Sequence, residues 1–204
     1  MDTQNSYKNE ENKASRRKKQ KRPPKKISQK YLYNAGLAYL QRFTASTNHF
    51  QRVMQRKIDR SCLYHKDQDP EACRKDLETV TTQFRELGFL NDEAYAKGMV
   101  TSLRLKGLSA KAIHFKLLQK GLSADNIAAA LRDIDGESAE NEADYIAGLR
   151  LARRRKIGPF GTGKKSEEKE LGALARAGFS YHLSRKILET DPDDAAHAIN
   201  AMIL

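Results

Sequence analysis

Residues 90–109 read LNDEAYAKGMVTSLRLKGLS, and their apolar residues recur with the period of an α-helix. Large apolar side chains occupy every fourth position, at Tyr95, Met99 and Leu103. That spacing puts them on one stripe of an α-helix, which is the face that an amphipathic helix buries. Asn91 or Asp92 can cap the start, and Gly107 can adopt the left-handed conformation that ends a helix. The stretch therefore predicts an amphipathic helix with defined ends.

The helices that follow this stretch recur further along the chain. Residues 109–131, SAKAIHFKLLQKGLSADNIAAAL, align without a gap with residues 166–188, SEEKELGALARAGFSYHLSRKIL. In both segments a glycine, Gly121 or Gly178, can end one helix, and a serine two residues later can cap the next. Such internal similarity is typical of a helical repeat, in which neighbouring units bury each other's apolar faces.

The same pattern of apolar stripes, caps and glycine stops indicates three units of three helices, at about residues 31–88, 91–135 and 139–203. Ala and Leu total 45 residues and Val only three, which favours helix over strand. We expect an all-α protein, an elongated and curved stack of three three-helix repeats with one side free to bind a partner.

The expected core follows from the inward stripes of these helices. Its members in the second and third units are Tyr95, Met99, Leu103, Ile113, Leu117, Ile127, Leu131 and Leu174. In the first unit, residues 61–70 are expected to form a loop. The helix after it should point inward with Cys73, Leu77, Val80, Thr81 and Phe84.

Positive charge is concentrated at the N-terminus. The chain has 38 Lys and Arg against 26 Asp and Glu, a net charge of +12. Residues 1–30 hold 11 of the basic residues and show no apolar period, so we expect a disordered basic tail. The tail could bind a polyanion such as nucleic acid, or it could merely solubilise the chain. The residues expected to contact a polyanion are Arg16, Arg17, Lys18, Lys19, Lys21 and Arg22.

Several protein classes are excluded by composition. No apolar run has the roughly 20 residues that span a bilayer, and the polar N-terminus lacks the apolar core of a secretory signal. Only two cysteines are present, which argues against a disulfide scaffold. We expect a monomer in the reducing cytoplasm, with no membrane partner.

Two patterns approximate chemical sites without matching them. Residues 158–166, GPFGTGKKS, have the spacing of a phosphate-binding loop, but Lys165 stands where a Ser or Thr must ligate magnesium. The preceding residues also form a basic helix rather than a strand, so a flexible inter-helix loop is the better interpretation. Cys62, His65 and Cys73 offer three metal ligands at loose spacing without a second pair. We therefore predict no metal, no cofactor and no enzymatic activity.

A basic cluster remains in the third unit, with no carboxylate between Tyr145 and Ser166. It comprises Arg150, Arg153, Arg154, Arg155, Lys156, Lys164 and Lys165. Local charge that is not compensated favours an anionic partner, and we expect Arg150, Arg153 and Arg154 to share one helix face. The second unit adds Arg104, Lys106, Lys111, Lys116 and Lys120. These could contact the same partner, or the lysines could form a solvated face whose stems cover apolar surface.

The sequence resembles the RecX family of bacterial regulators of the RecA recombinase. The resemblance is carried by residues 90–96 (LNDEAYA), 106–109 (KGLS), 117–122 (LLQKGL) and 152–160 (ARRRKIGPF). It implies a three-by-three helical repeat that binds in the groove of the RecA–DNA filament. It further implies a protein that modulates RecA, generally lowering its ATPase, strand-exchange and co-protease activities without chemistry of its own.

A rival hypothesis needs no RecA. The basic tail and the basic cluster would equally serve a helical protein that binds single- or double-stranded DNA, or RNA, through phosphates and without regard to sequence.

Overall fold

The computed structural model describes residues 23–136 and 140–201, and their regular structure is entirely helical. The described part holds ten α-helices and a short 3₁₀-helix, Gly158–Phe160. The helices are α1 (Gln29–Leu40), α2 (Thr47–Tyr64), α3 (Pro70–Glu86), α4 (Asp92–Leu105), α5 (Ala110–Gln119), α6 (Ala124–Asp135), α7 (Glu140–Arg155), α8 (Glu167–Arg176), α9 (Tyr181–Leu188) and α10 (Pro192–Ala201). The all-α prediction is confirmed. The residues expected to contact a polyanion, at positions 16–22, lie outside the described residues.

The helix ends follow the local signals in the sequence. The side chain of Asn91 accepts a hydrogen bond from the Ala94 N–H (2.9 Å), and α4 begins at Asp92, directly after this cap. Ser109 and Ser123 cap α5 and α6 in the same way. Gly107, with φ of 73°, lies just past α4, in the left-handed region where a side chain would be strained. Capping therefore sets the ends of these helices, as the sequence predicted.

Three apolar cores lie one after another along the chain. The first is formed by α1 to α3 around Phe50 and Phe84, the second by α4 to α6 and the third by α7 to α10. Every residue predicted to face inward from α3 is buried. In the other two units the same holds for Leu103, Ile113, Leu117, Ile127 and Leu174. Tyr95, Met99 and Leu131 are only partly buried, because they lie at the rim of the second core.

Neighbouring units meet through a hydrogen bond that occurs twice. The first backbone N–H of α2, that of Thr47, donates to Asp92 Oδ1 of the next unit (2.7 Å). The first N–H of α5, that of Ala110, donates to Asp144 Oδ1 of the following unit (2.8 Å). An N–H in the first turn has no partner within its own helix, and the helix dipole favours an anion there. Each junction is therefore capped by a carboxylate from the next unit.

The same junctions share a second contact. Ser46 Oγ donates to the carbonyl of Lys120, and the Ser109 N–H donates to the carbonyl of Ala177 (3.1 Å). A glycine follows each carbonyl, and at Gly178 a Cβ would stand 2.3 Å from Ser109 Oγ. Close backbone approach thus requires a glycine at this junction. Gly121 and Gly178, which the internal repeat aligns, therefore occupy equivalent positions at the two junctions.

The structure corrects three expectations about boundaries. Residues 25–30, which were predicted to belong to a disordered tail, are packed against the first unit, because Ile27 is buried, the carbonyl of Lys25 accepts from Ser61 Oγ (2.9 Å), and α1 starts at Gln29. The loop expected at residues 61–70 is shorter, since α2 continues to Tyr64. The third unit has a fourth helix, α10, whose apolar residues Ala195 and Ile199 join the third core.

Candidate partner-binding surface

The basic cluster of the third unit lies at the C-terminal end of α7. Arg153, Arg154, Arg155 and Lys156 are all exposed. Cations are favoured at a helix C-terminus by about 0.3–1 kcal/mol each, which explains part of this charge. Lys156 has a φ of 52°, a conformation that ends the helix, and the next residue, Ile157, is buried. The buried Ile157 therefore anchors the backbone directly after the four cations.

The loop after α7 is held in place over its first half. The Gly158 N–H donates to Glu170 Oε2 (3.1 Å), and Phe160 packs against the third core. Lys165 is exposed, and its Nζ donates to the carbonyl of Arg155, which returns the loop to the end of α7. Residues 158–160 of the expected loop are therefore anchored to α8 and to the third core. The structure also brings Lys165 beside the arginines of α7.

The exposed members of the basic cluster lack carboxylate partners among residues 23–136 and 140–201. The ion pairs found there involve other basic residues. Arg150 differs from them, because it is half-buried and burial, followed by the charge of Arg153, lowers its pKa. Of the three arginines predicted to share one helix face, only Arg153 and Arg154 are therefore exposed.

Arg104 does not belong to this surface. It is only 2% exposed and donates from Nε to Asp135 (3.0 Å) and from Nη1 to Asp144 and to the carbonyl of Leu108 (3.1 Å). The expectation that Arg104 contacts a partner is wrong, since its guanidinium is used inside the protein. It joins α6 of the second unit to α7 of the third.

Lys106 and Lys111, which were also predicted to contact a partner, are exposed. Lys106 immediately precedes Gly107, whose position is in close contact with Leu151 of α7. Lys106 therefore lies beside the helix that carries the basic cluster. Lys111 is exposed in the first turn of α5.

The rejected chemical motifs have structural roles. The chain that precedes Gly158 is helix α7, and the N–H of Gly158 is taken by Glu170 rather than directed at an open site. Cys73 lies in the first core, and the His65 ring makes a 2.8 Å hydrogen bond to the carbonyl of Pro24. Over the part of the chain that the structure describes, no three His, Cys, Asp or Glu side chains come together as a metal site.

Sequence analysis named Lys116 and Lys120 but missed that they line a second basic surface, a cleft where α2, α4 and α5 meet. Two basic pairs line it, Arg52 with Arg56 and Lys116 with Lys120. Each pair is spaced by four residues, which places its members on one helix face. That spacing was visible in the sequence, but the approach of the two pairs was not.

None of the helices in the described residues has the length and apolar character needed to cross a membrane. The comparisons with known proteins agree with the helical repeat. A sequence model of "RecX, second three-helix domain" matches residues 91–131, which lie in α4 to α6. A crystal structure of RecX from Lactobacillus salivarius aligns with a TM-score of 0.53 and 18% identity, over 85% of this chain and 97% of that one. This similarity supports the fold.

Sequence relatives extend over most of the chain. The regulatory protein RecX of Agrobacterium fabrum is 29% identical over 71% of this chain and 79% of its own length. The regulatory protein RecX of Myxococcus xanthus is 38% identical over 86% of this chain and 95% of its own length. With identity of this level over nearly the whole relative, and with three helical units joined as described, the chain belongs to the RecX family of regulatory proteins.

Proposed function

We propose that this protein regulates the RecA recombinase by binding the RecA–DNA filament in the cytoplasm. In this proposal it lowers RecA ATPase, strand-exchange and co-protease activity by occupancy alone, with no catalysis or cofactor of its own. Membership of the RecX family supports the regulatory role.

The observation that carries the proposal is the exposed basic cluster at the end of α7. Arg153 and Arg154 have no carboxylate partner among the described residues, and Lys165 lies next to the helix that bears them. Like charges gathered in this way repel one another, so an anionic partner gives a reason for their proximity. The proposed contact surface comprises the cluster with Lys106 and Lys111 at its side, and the basic tail supplies a further contact to DNA.

The experiment is a titration of RecA ATPase on single-stranded DNA. The double variant Arg153→Ala, Arg154→Ala removes two exposed charges without touching a core. Charges at the edge of an interface act mainly on the association rate, so we expect suppression of ATPase to need a much higher concentration of the variant. The half-buried Arg150 is left intact to protect folding.

A matched control is the double variant Arg42→Ala, Arg132→Ala, which removes two arginines outside the cluster. It should suppress RecA at the concentration of the parent. If the Arg153, Arg154 variant keeps its helical circular dichroism spectrum and suppresses RecA as the parent does, this surface is not the contact.

A second candidate function is sequence-independent binding of nucleic acid without RecA. It is favoured by the presence of two basic surfaces, the cluster on α7 and the cleft between α2 and α5. Phosphate contacts weaken steeply with salt. Suppression of RecA ATPase at a salt concentration that abolishes the protein's own DNA binding would favour the filament over this alternative.

A further inference from the structure

The cleft between the first and second units is built from two facing rows of basic side chains. It has a volume of about 740 Å³. Its residues are His49, Arg52, Gln55 and Arg56 of α2, Met99 and Leu103 of α4, and Lys116, Gln119 and Lys120 at the end of α5. The walls are therefore cationic and the floor is apolar.

The charge of the cleft is not balanced from within the described part of the chain. None of the ion pairs found in residues 23–136 and 140–201 involves Arg52, Arg56, Lys116 or Lys120. The nearby carboxylate of Asp59 is bound to Gln55 (2.8 Å). Like charges repel one another, so gathering four cations opposes folding.

Only one of the four cations has an evident structural role. Arg52 donates from Nη2 to the carbonyl of Gln119 (3.1 Å), a contact that joins the two units. Arg56 and Lys116 line the cleft, and no hydrogen bond of their side chains is found among the described residues. Their position is explained by a ligand more readily than by the fold.

We propose that this cleft binds the phosphodiester backbone of single-stranded nucleic acid. Basic residues four apart on a helix lie about 6 Å apart, so each wall presents two charges that successive phosphates of one strand could contact. Arginine can hold a phosphate with two hydrogen bonds, and a groove of cations is how single strands are bound without sequence preference. The volume is that of a small-ligand site, which admits a few nucleotides of one strand rather than a duplex.

The pKa of His49, which lines the cleft, should report whether the cleft is occupied. Burial lowers the pKa of His49, and the charges of Arg52, Lys120 and Arg56 lower it further. Lys116 is the remaining cation of the cleft, and α4 contributes only Met99 and Leu103. A bound phosphate opposes these cations, so it should raise the pKa of His49, and binding should therefore strengthen as the pH falls. This inference does not rest on the proposed binding of RecA, because it concerns another surface and needs no RecA. It assigns a site to the nucleic-acid binding that is the second candidate function.

The test uses the full chain and a homopolymeric deoxythymidylate oligonucleotide, with affinity measured by fluorescence anisotropy over a series of salt concentrations. The variant is Arg56→Gln, Lys116→Gln. Each lost contact to a single strand should lower the slope of log K against log salt by about 0.7, so two should lower it by about 1.4. Extrapolated from about 1 M to about 0.1 M salt, this is an affinity loss of about 25-fold.

The control is Lys66→Gln, Lys75→Gln, which removes two exposed charges away from the cleft and should leave the slope close to that of the parent. If the cleft variant and the control lose the same slope, the oligonucleotide senses net charge alone and the proposal is wrong. Circular dichroism verifies that both variants are folded.

A second measurement needs no variant. The imidazole of His49 is titrated by NMR in the parent, with and without the oligonucleotide, and with poly-glutamate in its place. The proposal predicts a higher pKa of His49 with the oligonucleotide. An unchanged pKa overturns the proposal, and a rise with poly-glutamate alone would identify an acidic protein segment as the occupant instead.

Discussion

Replacing Arg104 by Ala should destabilise the protein more than any change of a surface charge. The guanidinium is 2% exposed, and it holds Asp135 of the second unit and Asp144 of the third, which are 10% and 20% exposed. Removing one partner of a buried ion pair typically costs about 3–5 kcal/mol, because the remaining charge stays desolvated. Here two carboxylates lose their cation at once, so we expect a loss at the upper end of this range.

The assay is urea unfolding followed by circular dichroism. A loss of about 4 kcal/mol, divided by a slope of about 2 kcal/mol/M, would shift the midpoint by about 2 M. As a control on the same helix, Lys97→Ala breaks an exposed pairing with Glu93 and Asp133 and should shift the midpoint little, since exposed ion pairs are screened by water.

A neutral replacement separates electrostatics from packing. The triple variant Arg104→Met, Asp135→Asn, Asp144→Asn keeps the volumes similar and removes all three charges, so it should recover most of the loss. The amide introduced by Asp144→Asn would retain an oxygen that can accept from the Ala110 N–H. If Arg104→Ala costs less than about 1 kcal/mol, the buried triad does not hold the second and third units together as we argue.

Three further outcomes are expected from unfolding measurements. Deleting residues 1–26 should cost about 1–3 kcal/mol through the hydrogen bonds to Pro24 and Lys25, whereas deleting residues 1–22 should leave stability unchanged; equal stability of the two would contradict the packing of this segment. Leu117→Ala should cost about 2–5 kcal/mol, and a loss below about 1 kcal/mol would mean that α5 does not bury this face. Gly178→Ala should cost about 1–2 kcal/mol for its left-handed backbone and about 1–3 more for the approach to Ser109. Gly163→Ala, also at positive φ but in open space, should show the first cost alone.

The candidate surface could be predicted only in part. The exposed charges at the end of α7 were evident from the sequence, because they follow one another without an intervening carboxylate. Arg104 and Lys106 are two residues apart and look alike as sequence, yet one is buried in a triad and the other is exposed. The difference arises from Asp135 and Asp144, which lie 31 and 40 residues away along the chain.

The sequence alone was enough to predict most of the helices, most of their ends and most of the residues that they bury. These follow from local rules: the apolar period of a helix, the serine and asparagine caps, and the glycine stops each depend on residues within a turn or two. The tertiary structure alone decided what depends on distant groups. Arg104 is buried, and α10 contributes to the third core. Pro24 is hydrogen-bonded to His65, and Arg56 and Lys116 line the same cleft. Burial and pairing at these positions depend on residues far away along the chain, which a local sequence pattern cannot reveal.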